Sequence, residues 1–166
     1  NRIGVQATGS AYRGNASFGV LVGQGNENNR IGGPGDWEGN AIAGNGQTGV
    51  YLFQAHHTIV QGNALVSNGG GVFLYGDASD NQIGGTEPGE GNTIASNVNV
   101  GVSLYPIAGG VPARNAILGN SMYDNGFLGI DLGNDNHTPN DLGVPAQCPA
   151  TPGQCPDADT GPNGLQ

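Results

Sequence analysis

The feature that most constrains the fold of this chain is an internal repeat. The segment IGGPGDWEGNAIAGN at residues 31–45 returns 52 residues later as IGGTEPGEGNTIASN at residues 83–97. A second motif, Gly-Val-x-Leu or a close variant, occurs five times, beginning at Gly19, Gly49, Gly71, Gly101 and Gly129. Its spacings are 30, 22, 30 and 28 residues. Repeats of this length are typical of solenoids, in which each repeat is one coil packed on its neighbours.

Alternation of apolar residues inside each coil predicts strands rather than helices. One wall supplies two inward columns, which are Val20, Val50, Val72, Val102 and Ile130, and then Val22, Leu52, Leu74, Leu104 and Leu132. A second wall supplies Ile42, Leu65, Ile94 and Met122. A third wall supplies Ile31, Ile59, Ile83 and Ile117. The pattern predicts an all-β parallel β-helix of about five to six coils with three short strands per coil.

Pairs of asparagines five residues apart bracket one strand of each coil. The pairs are Asn40 and Asn45, Asn63 and Asn68, Asn92 and Asn97, and Asn120 and Asn125. Asparagine tolerates left-handed backbone angles and bonds its local backbone, so it suits tight corners. Stacked copies also bond one another along the axis, and we therefore expect structural ladders at these positions.

Charge limits the partners of the chain. Four arginines, no lysine and 13 acidic residues give a net charge of -9. This charge repels a phosphate backbone or an anionic membrane surface, so we expect no nucleic-acid partner. No apolar run approaches the ~20 residues that a membrane-spanning helix needs, so we expect no membrane insertion.

These motifs resemble those of the right-handed β-helix repeat family, found as long secreted or surface proteins of bacteria. The resemblance rests on IGGTEPGEGNTIASN and on the closing stretches GIDLGNDNHTPNDLG and DADTGPNGLQ. It covers nearly the whole chain and implies a right-handed, single-stranded parallel β-helix in an extracellular or cell-surface setting. It implies no particular enzymatic activity.

The chain divides into two regions. Residues 1–142 are predicted to form the coils, and residues 143–166, rich in proline and glycine, a C-terminal cap or linker. Cys148 and Cys155 enclose a short loop in this second region, and we expect them to form a disulfide outside the cell. Because Asn1 enters in the middle of a coil, we expect the open coil end to continue into a longer chain or to meet another molecule.

Catalytic and metal-binding candidates are few. No arginine lies beside an acidic cluster in sequence, as a lyase would need, and no paired-carboxylate pattern indicates a hydrolase. His56 and His57 are adjacent, so their side chains diverge and a solvated turn is favoured over a metal site. The carboxylates suggested for calcium are Asp131, Asp135, Asp141, Asp157 and Asp159. A structural calcium site and an empty acidic region are both compatible with them.

One outward wall is rich in aromatic residues. Counting alternate positions along the Gly-Val-x-Leu strands places on it Tyr51, Phe53, Phe73, Tyr75 and Tyr105. Such a wall could stack on itself to stabilise the solenoid, pack against a neighbouring molecule, or bind the sugar rings of a polysaccharide.

Two hypotheses follow for function. The first is a non-catalytic extracellular structural or adhesive module that assembles head to tail into a fibre or sheath. The second is a carbohydrate-active enzyme, a polysaccharide lyase or glycoside hydrolase, or a glycan-binding solenoid that uses the aromatic wall. Calcium is the one cofactor that the sequence suggests, and none is required.

Overall fold

The computed structural model describes residues 1–6 and 13–133, which form 14 short strands in three parallel sheets. Successive strands belong to the three sheets in a fixed rotation, so three consecutive strands make one coil. Each strand pairs in parallel with the equivalent strand of the next coil. The described residues therefore form four complete coils and the first two strands of a fifth. This architecture confirms the predicted parallel β-helix. The described residues include no helix that is long and apolar enough to cross a membrane.

The strands take their order from the coils. Sheet 1 contains β1 (Arg2–Ile3), β4 (Ala41–Ala43), β7 (Ala64–Val66), β10 (Thr93–Ala95) and β13 (Ser121–Tyr123). Sheet 2 contains β2 (Val20–Val22), β5 (Thr48–Phe53), β8 (Gly70–Tyr75), β11 (Val102–Tyr105) and β14 (Ile130–Leu132). Sheet 3 contains β3 (Arg30–Gly32), β6 (Ile59–Gln61), β9 (Gln82–Gly84) and β12 (Ala116–Leu118).

The core is a set of stacked aliphatic columns. Val50, Val72 and Val102 are in register along sheet 2, and each is at most 1% exposed. Leu65 pairs with Ile42 on one side and Ile94 on the other in sheet 1, and all three are fully buried. These registers confirm the predicted inward columns of the first two walls. Burial of branched side chains from all three sheets is the main favourable term for such a fold.

The prediction for the third wall was wrong at one position. Ile59 pairs with Arg30 and Gln82, whereas Val60 lies in register with Ile31 and Ile83 and is fully buried. Both residues are β-branched and apolar, so composition alone does not decide which one faces the core. A shift of one residue reverses the face of every side chain in a strand, and the corner before β6 sets that register.

Asparagine ladders run along two corners of the solenoid, as predicted. In the first ladder the side-chain amide of Asn40 donates to Asn63 Oδ1 at 2.9 Å, and Asn63 donates to Asn92 Oδ1 at 3.0 Å. The same asparagines also bond the backbone, since Asn63 Nδ2 donates to the carbonyl of Ile31 at 2.9 Å. The second ladder includes Asn45, Asn68, Asn97 and Asn125. These bonds satisfy the backbone groups that a tight buried corner would otherwise leave unpaired.

A third ladder, which was not predicted from the sequence, lies at the corner between sheets 2 and 3. Asn81 Nδ2 donates to Asn115 Oδ1 at 2.9 Å, and the backbone N–H of Thr58 donates to Asn81 Oδ1 at the same distance. Each of these residues lies two positions before a core residue, as the asparagines of the first ladder do. The two-residue offset between a ladder residue and the next core residue could have predicted this ladder from the sequence. Applied to Thr58, the same offset identifies Val60 as the core residue.

The two copies of the 52-residue repeat place their loops against each other. The loops at residues 33–39 and 85–91 leave sheet 3 two coils apart, and the short corner at Gly62 lies between them. A Cβ on Gly62 would lie 2.1 Å from the carbonyl oxygen of Gly33 and 3.1 Å from that of Gly89. The short coil therefore needs glycine at this corner, because both longer loops close over it.

Candidate ligand-binding groove

All five aromatic residues predicted to share one wall lie on the outer face of sheet 2. Tyr51 is in register with Phe73, and Phe53 is in register with Tyr75, which pairs with Tyr105. Their side chains are half-buried, while Val50 and Leu52, on either side of Tyr51, face the core. The alternation that builds the core thus also places the rings in two parallel columns.

The rings contact one another along and across these columns. Tyr51 stacks on Phe73 with ring centroids 5.3 Å apart, and Tyr75 stacks on Tyr105 at 5.4 Å with the rings almost parallel. Phe18, which was not predicted, lies just before β2 and adds a ring contact to the first column, with its centroid 4.5 Å from that of Tyr51. Such contacts stabilise pairs of rings by about 0.5–1.5 kcal/mol beyond burial. They support the self-stabilising interpretation of the aromatic wall.

A groove of about 580 Å³ lies beside the first aromatic column. Its lining comes from all five coils, and includes Phe18, Gln47, Thr48, Tyr51, Gly69, Gly70, Phe73, Asn99, Val100, Ser103 and Phe127. Phe53, Tyr75 and Tyr105 of the second column are outside this lining. The groove therefore has one aromatic wall and one wall of amide and small side chains.

Two glycines in the third coil create the depression. Gly70 is in register with Thr48, and Gly69 exchanges backbone hydrogen bonds with the coils of Gln47 and Asn99. The neighbouring coils carry side chains at these positions and the third coil carries none. This depression depends on the stacking of the coils, because the residues of the neighbouring coils that border Gly69 and Gly70 are more than 20 positions away in sequence.

The groove is almost free of ionisable groups. Among the residues that the structure describes, the lining contains no Asp, Glu, Lys, Arg or His, and Tyr51 is the one titratable side chain in it. Burial, followed by the nearby Tyr75, raises the pKa of the Tyr51 phenol above its usual range. The phenol therefore stays neutral and keeps its hydrogen-bond donor at physiological pH.

Residues 4–141 match the family model described as the right handed beta helix region. The chain belongs to the right-handed β-helix family. No curated protein and no solved structure matches this β-helix protein. The family match covers the coils that build the groove and fixes their fold, while the chemistry of the groove has to be argued from its own side chains.

The arginines of the β-helix protein and its two described histidines, His56 and His57, are outside the lining of the groove. Arg30 forms an ion pair with Glu38 at 3.2 Å, and Arg114 holds Asp80 with two hydrogen bonds of 2.7 and 2.6 Å. His56 and His57 lie at the corner before β6, where His57 is exposed, as expected for a turn. The Nε2 atom of His56 is 4.0 Å from a carboxylate oxygen of Asp77.

The metal and disulfide predictions fall largely outside the described residues. Asp131 lies in β14 in register with Ser103, and it is 2% exposed. Within residues 1–6 and 13–133, no group of three or more His, Cys, Asp or Glu side chains is arranged to hold a metal ion. The remaining residues named for calcium or a disulfide are outside the described part of the β-helix protein, namely Asp135, Asp141, Asp157, Asp159, Cys148 and Cys155. Calcium and the disulfide therefore stay predictions.

Proposed function

We propose that this β-helix protein is a non-catalytic, extracellular adhesive module whose groove binds an extended carbohydrate chain. The observation that supports it is the composition of the groove, an aromatic wall facing amides and a glycine floor. Aromatic rings pack against the C–H faces of sugars, and amides and hydroxyls bond sugar hydroxyl groups, which is the usual division of labour in a ligand site. The extracellular setting rests on the family resemblance and on the pair Cys148 and Cys155.

The same composition argues against catalysis in the groove. Glycoside hydrolysis uses two carboxyl groups on either side of the scissile bond, and proton abstraction needs a positioned base. Within residues 1–6 and 13–133, no carboxylate, histidine, lysine or arginine lines the groove. Binding without bond cleavage is therefore the function that these side chains favour.

The proposal is tested by a carbohydrate array followed by titration calorimetry of the best ligands. Phe73→Ala removes a ring from the groove wall, and we expect it to lower affinity by up to about tenfold, as for the loss of one aromatic stacking contact. Phe53→Ala is the matched control, because it removes an equally half-buried ring from the same sheet outside the groove.

Two results would overturn the proposal. One is that the parent protein binds no carbohydrate. The other is that both variants lose binding equally, which would place the effect in the stability of the solenoid rather than in the groove. Thermal unfolding of both variants distinguishes the latter directly.

A second candidate function is end-to-end self-assembly through the last described coil. Ile130 occupies the same core column as Val102, yet it is 41% exposed whereas Val102 is fully buried. Among the strands formed by residues 1–6 and 13–133, β12, β13 and β14 are edge strands of their sheets, and unpaired parallel edges favour addition of another chain. We propose a second copy of this chain as the partner.

Electron microscopy tests this second candidate. Filaments that are abolished by Ile130→Arg would support self-assembly, and monomers at all concentrations would overturn it.

A further inference from the structure

We infer that the ligand of the groove is an uncharged oligosaccharide of limited length, and that Gly70 is the residue that admits it. This inference rests on the proposed function and specifies its substrate class. Three features of the groove support it, namely Gly70, the aromatic wall of Tyr51 and Phe73, and the amides of Gln47 and Asn99.

Charge selects against acidic sugars. Binding of polyuronates needs cationic side chains or bound cations to offset their carboxylates. None of the four arginines, all of which lie in the described part of the chain, lines the groove, and Arg30 and Arg114 are held in ion pairs elsewhere. The net charge of -9 adds a long-range repulsion of anionic polymers. An uncharged sugar encounters neither penalty.

The amide wall provides hydrogen bonds suited to hydroxyl and acetamido groups. Gln47 Oε1 accepts a hydrogen bond from Ser17 Oγ at 3.0 Å, which fixes the side chain. Within the described residues, Gln47 Nε2 and the side-chain amide of Asn99 have no hydrogen-bond partner of their own. Both side chains line the groove on opposite sides of Gly69. They can therefore donate and accept toward a neutral ligand without breaking internal bonds.

Gly70 keeps the floor open for a reason other than backbone conformation. Its φ lies outside the left-handed region, and an added Cβ would have its nearest contact 3.5 Å away, at the carbonyl oxygen of Val100. A side chain therefore fits the backbone here. At Gly69, by contrast, a Cβ would lie 2.4 Å from the carbonyl oxygen of Gln47. Gly69 is required by packing, whereas the absence of a side chain at Gly70 serves the open groove.

The ends of the groove set the length of the ligand. Phe18 in the first coil and Phe127 in the fifth both line it. Coils in register are separated by about 4.8 Å, so four steps between coils span about 19 Å. The groove thus accommodates a short stretch of an extended chain, and we expect affinity to rise with oligosaccharide length and then to level off once this span is filled.

Titration calorimetry with defined oligosaccharides tests the inference. The probes are oligomers of glucose and of N-acetylglucosamine as neutral ligands, and oligogalacturonate as the acidic one, each from two to eight units. We expect the parent protein to bind at least one neutral series, at least tenfold more tightly than the acidic series, with little dependence on salt.

Gly70→Val is the diagnostic variant, because it places on the floor the residue that the next coil carries as Val100. We expect at least a tenfold loss of neutral-ligand affinity with an unchanged or higher thermal midpoint. Thr93→Val, a matched strand substitution on sheet 1 far from the groove, should leave binding unchanged. Gln47→Leu, which also removes the exposed hydrogen bond from Ser17, should weaken binding with at most a small loss of stability.

The outcomes separate this inference from the proposed function. Tighter binding of oligogalacturonate, still lost in Phe73→Ala, would overturn the neutral class and keep carbohydrate binding. Full binding by Gly70→Val would overturn the role of Gly70. Absence of any carbohydrate binding, with binding of a proline-rich peptide such as residues 145–156 instead, would overturn both proposals, since aromatic grooves also bind such peptides.

Discussion

Asn29 and Thr58 lie on neighbouring coils of the third corner, and the Asn29 amide nitrogen and Thr58 hydroxyl are both buried without a hydrogen-bond partner among the described residues. In the complete ladders the same step is an amide-to-amide bond, as between Asn40 and Asn63. Threonine at this position is too short to continue the ladder. The two unpaired groups therefore identify a gap in the third ladder.

Thr58→Asn should close this gap. The new side chain would accept from Asn29 and continue toward Asn81, and it replaces two unpaired polar groups with hydrogen bonds. We expect the free energy of unfolding to rise by about 1 kcal/mol, measured by urea denaturation. Asn81→Thr is the mirror control, since it opens a second gap and should lower stability. A destabilised Thr58→Asn beside an unaffected Asn81→Thr would contradict the ladder interpretation.

Asn68→Ala should be among the most damaging single changes. Asn68 is fully buried, accepts from the backbone N–H and the amide of Asn45, and donates to the carbonyl of Ile42. Truncation leaves several buried groups unpaired, and each such group costs about 1–3 kcal/mol. Asn68→Asp retains one acceptor oxygen but replaces the donating amide with a second acceptor that faces the carbonyl of Ile42 and Asn97 Oδ1, so at neutral pH it should cost at least as much as alanine. Equal stabilities of all three proteins in chemical denaturation would refute this role.

Trp37→Gly should stabilise the first insertion loop. Trp37 is 99% exposed and adopts φ of 72°, while the residue 52 positions later is Gly89 with φ of 84°. The left-handed conformation destabilises a non-glycine residue by about 1–2 kcal/mol. Glycine removes this strain but loses more conformational entropy on folding, which offsets about 0.5–1 kcal/mol of the gain. We expect a net gain of about 0.5–1 kcal/mol in thermal unfolding. Trp37→Ala keeps the strained backbone and should gain nothing, so equal effects of both variants would count against strain.

The ion pair of Asp80 and Arg114 should give stability an acid-sensitive component. The hydrogen bond from Arg114, and then its charge, lowers the pKa of Asp80. Because the folded pKa lies below the unfolded value of about 3.9, the contribution is present above that pH and is lost as pH falls through the folded pKa. Thermal midpoints of the parent and of Asp80→Asn should therefore differ at neutral pH and converge in acid. A difference that persists unchanged at low pH would be inconsistent with this pair.

Much of the fold follows from the printed sequence because the solenoid is periodic. The 52-residue repeat set the coil lengths, and the Gly-Val-x-Leu motif set the register of sheet 2, which the pairing of Val72 with Val50 and Val102 confirms. The aromatic wall followed from the same alternation. Ile59 was assigned wrongly because two adjacent β-branched residues satisfy an apolar pattern equally well, and the corner at Thr58 decides between them.

What the sequence determined by itself is therefore whatever repeats locally: coil length, the core columns of two walls, two asparagine ladders and the face of each ring. Only the tertiary structure revealed the groove. Phe18, Gly70 and Phe127 are separated by 52 and 57 residues, and they line one depression because parallel stacking brings every coil to within about 4.8 Å of the next. The groove has no contiguous signal in the sequence, because its lining comes from several coils. Its shape depends on the absence of a side chain at Gly70, where the neighbouring coils carry one.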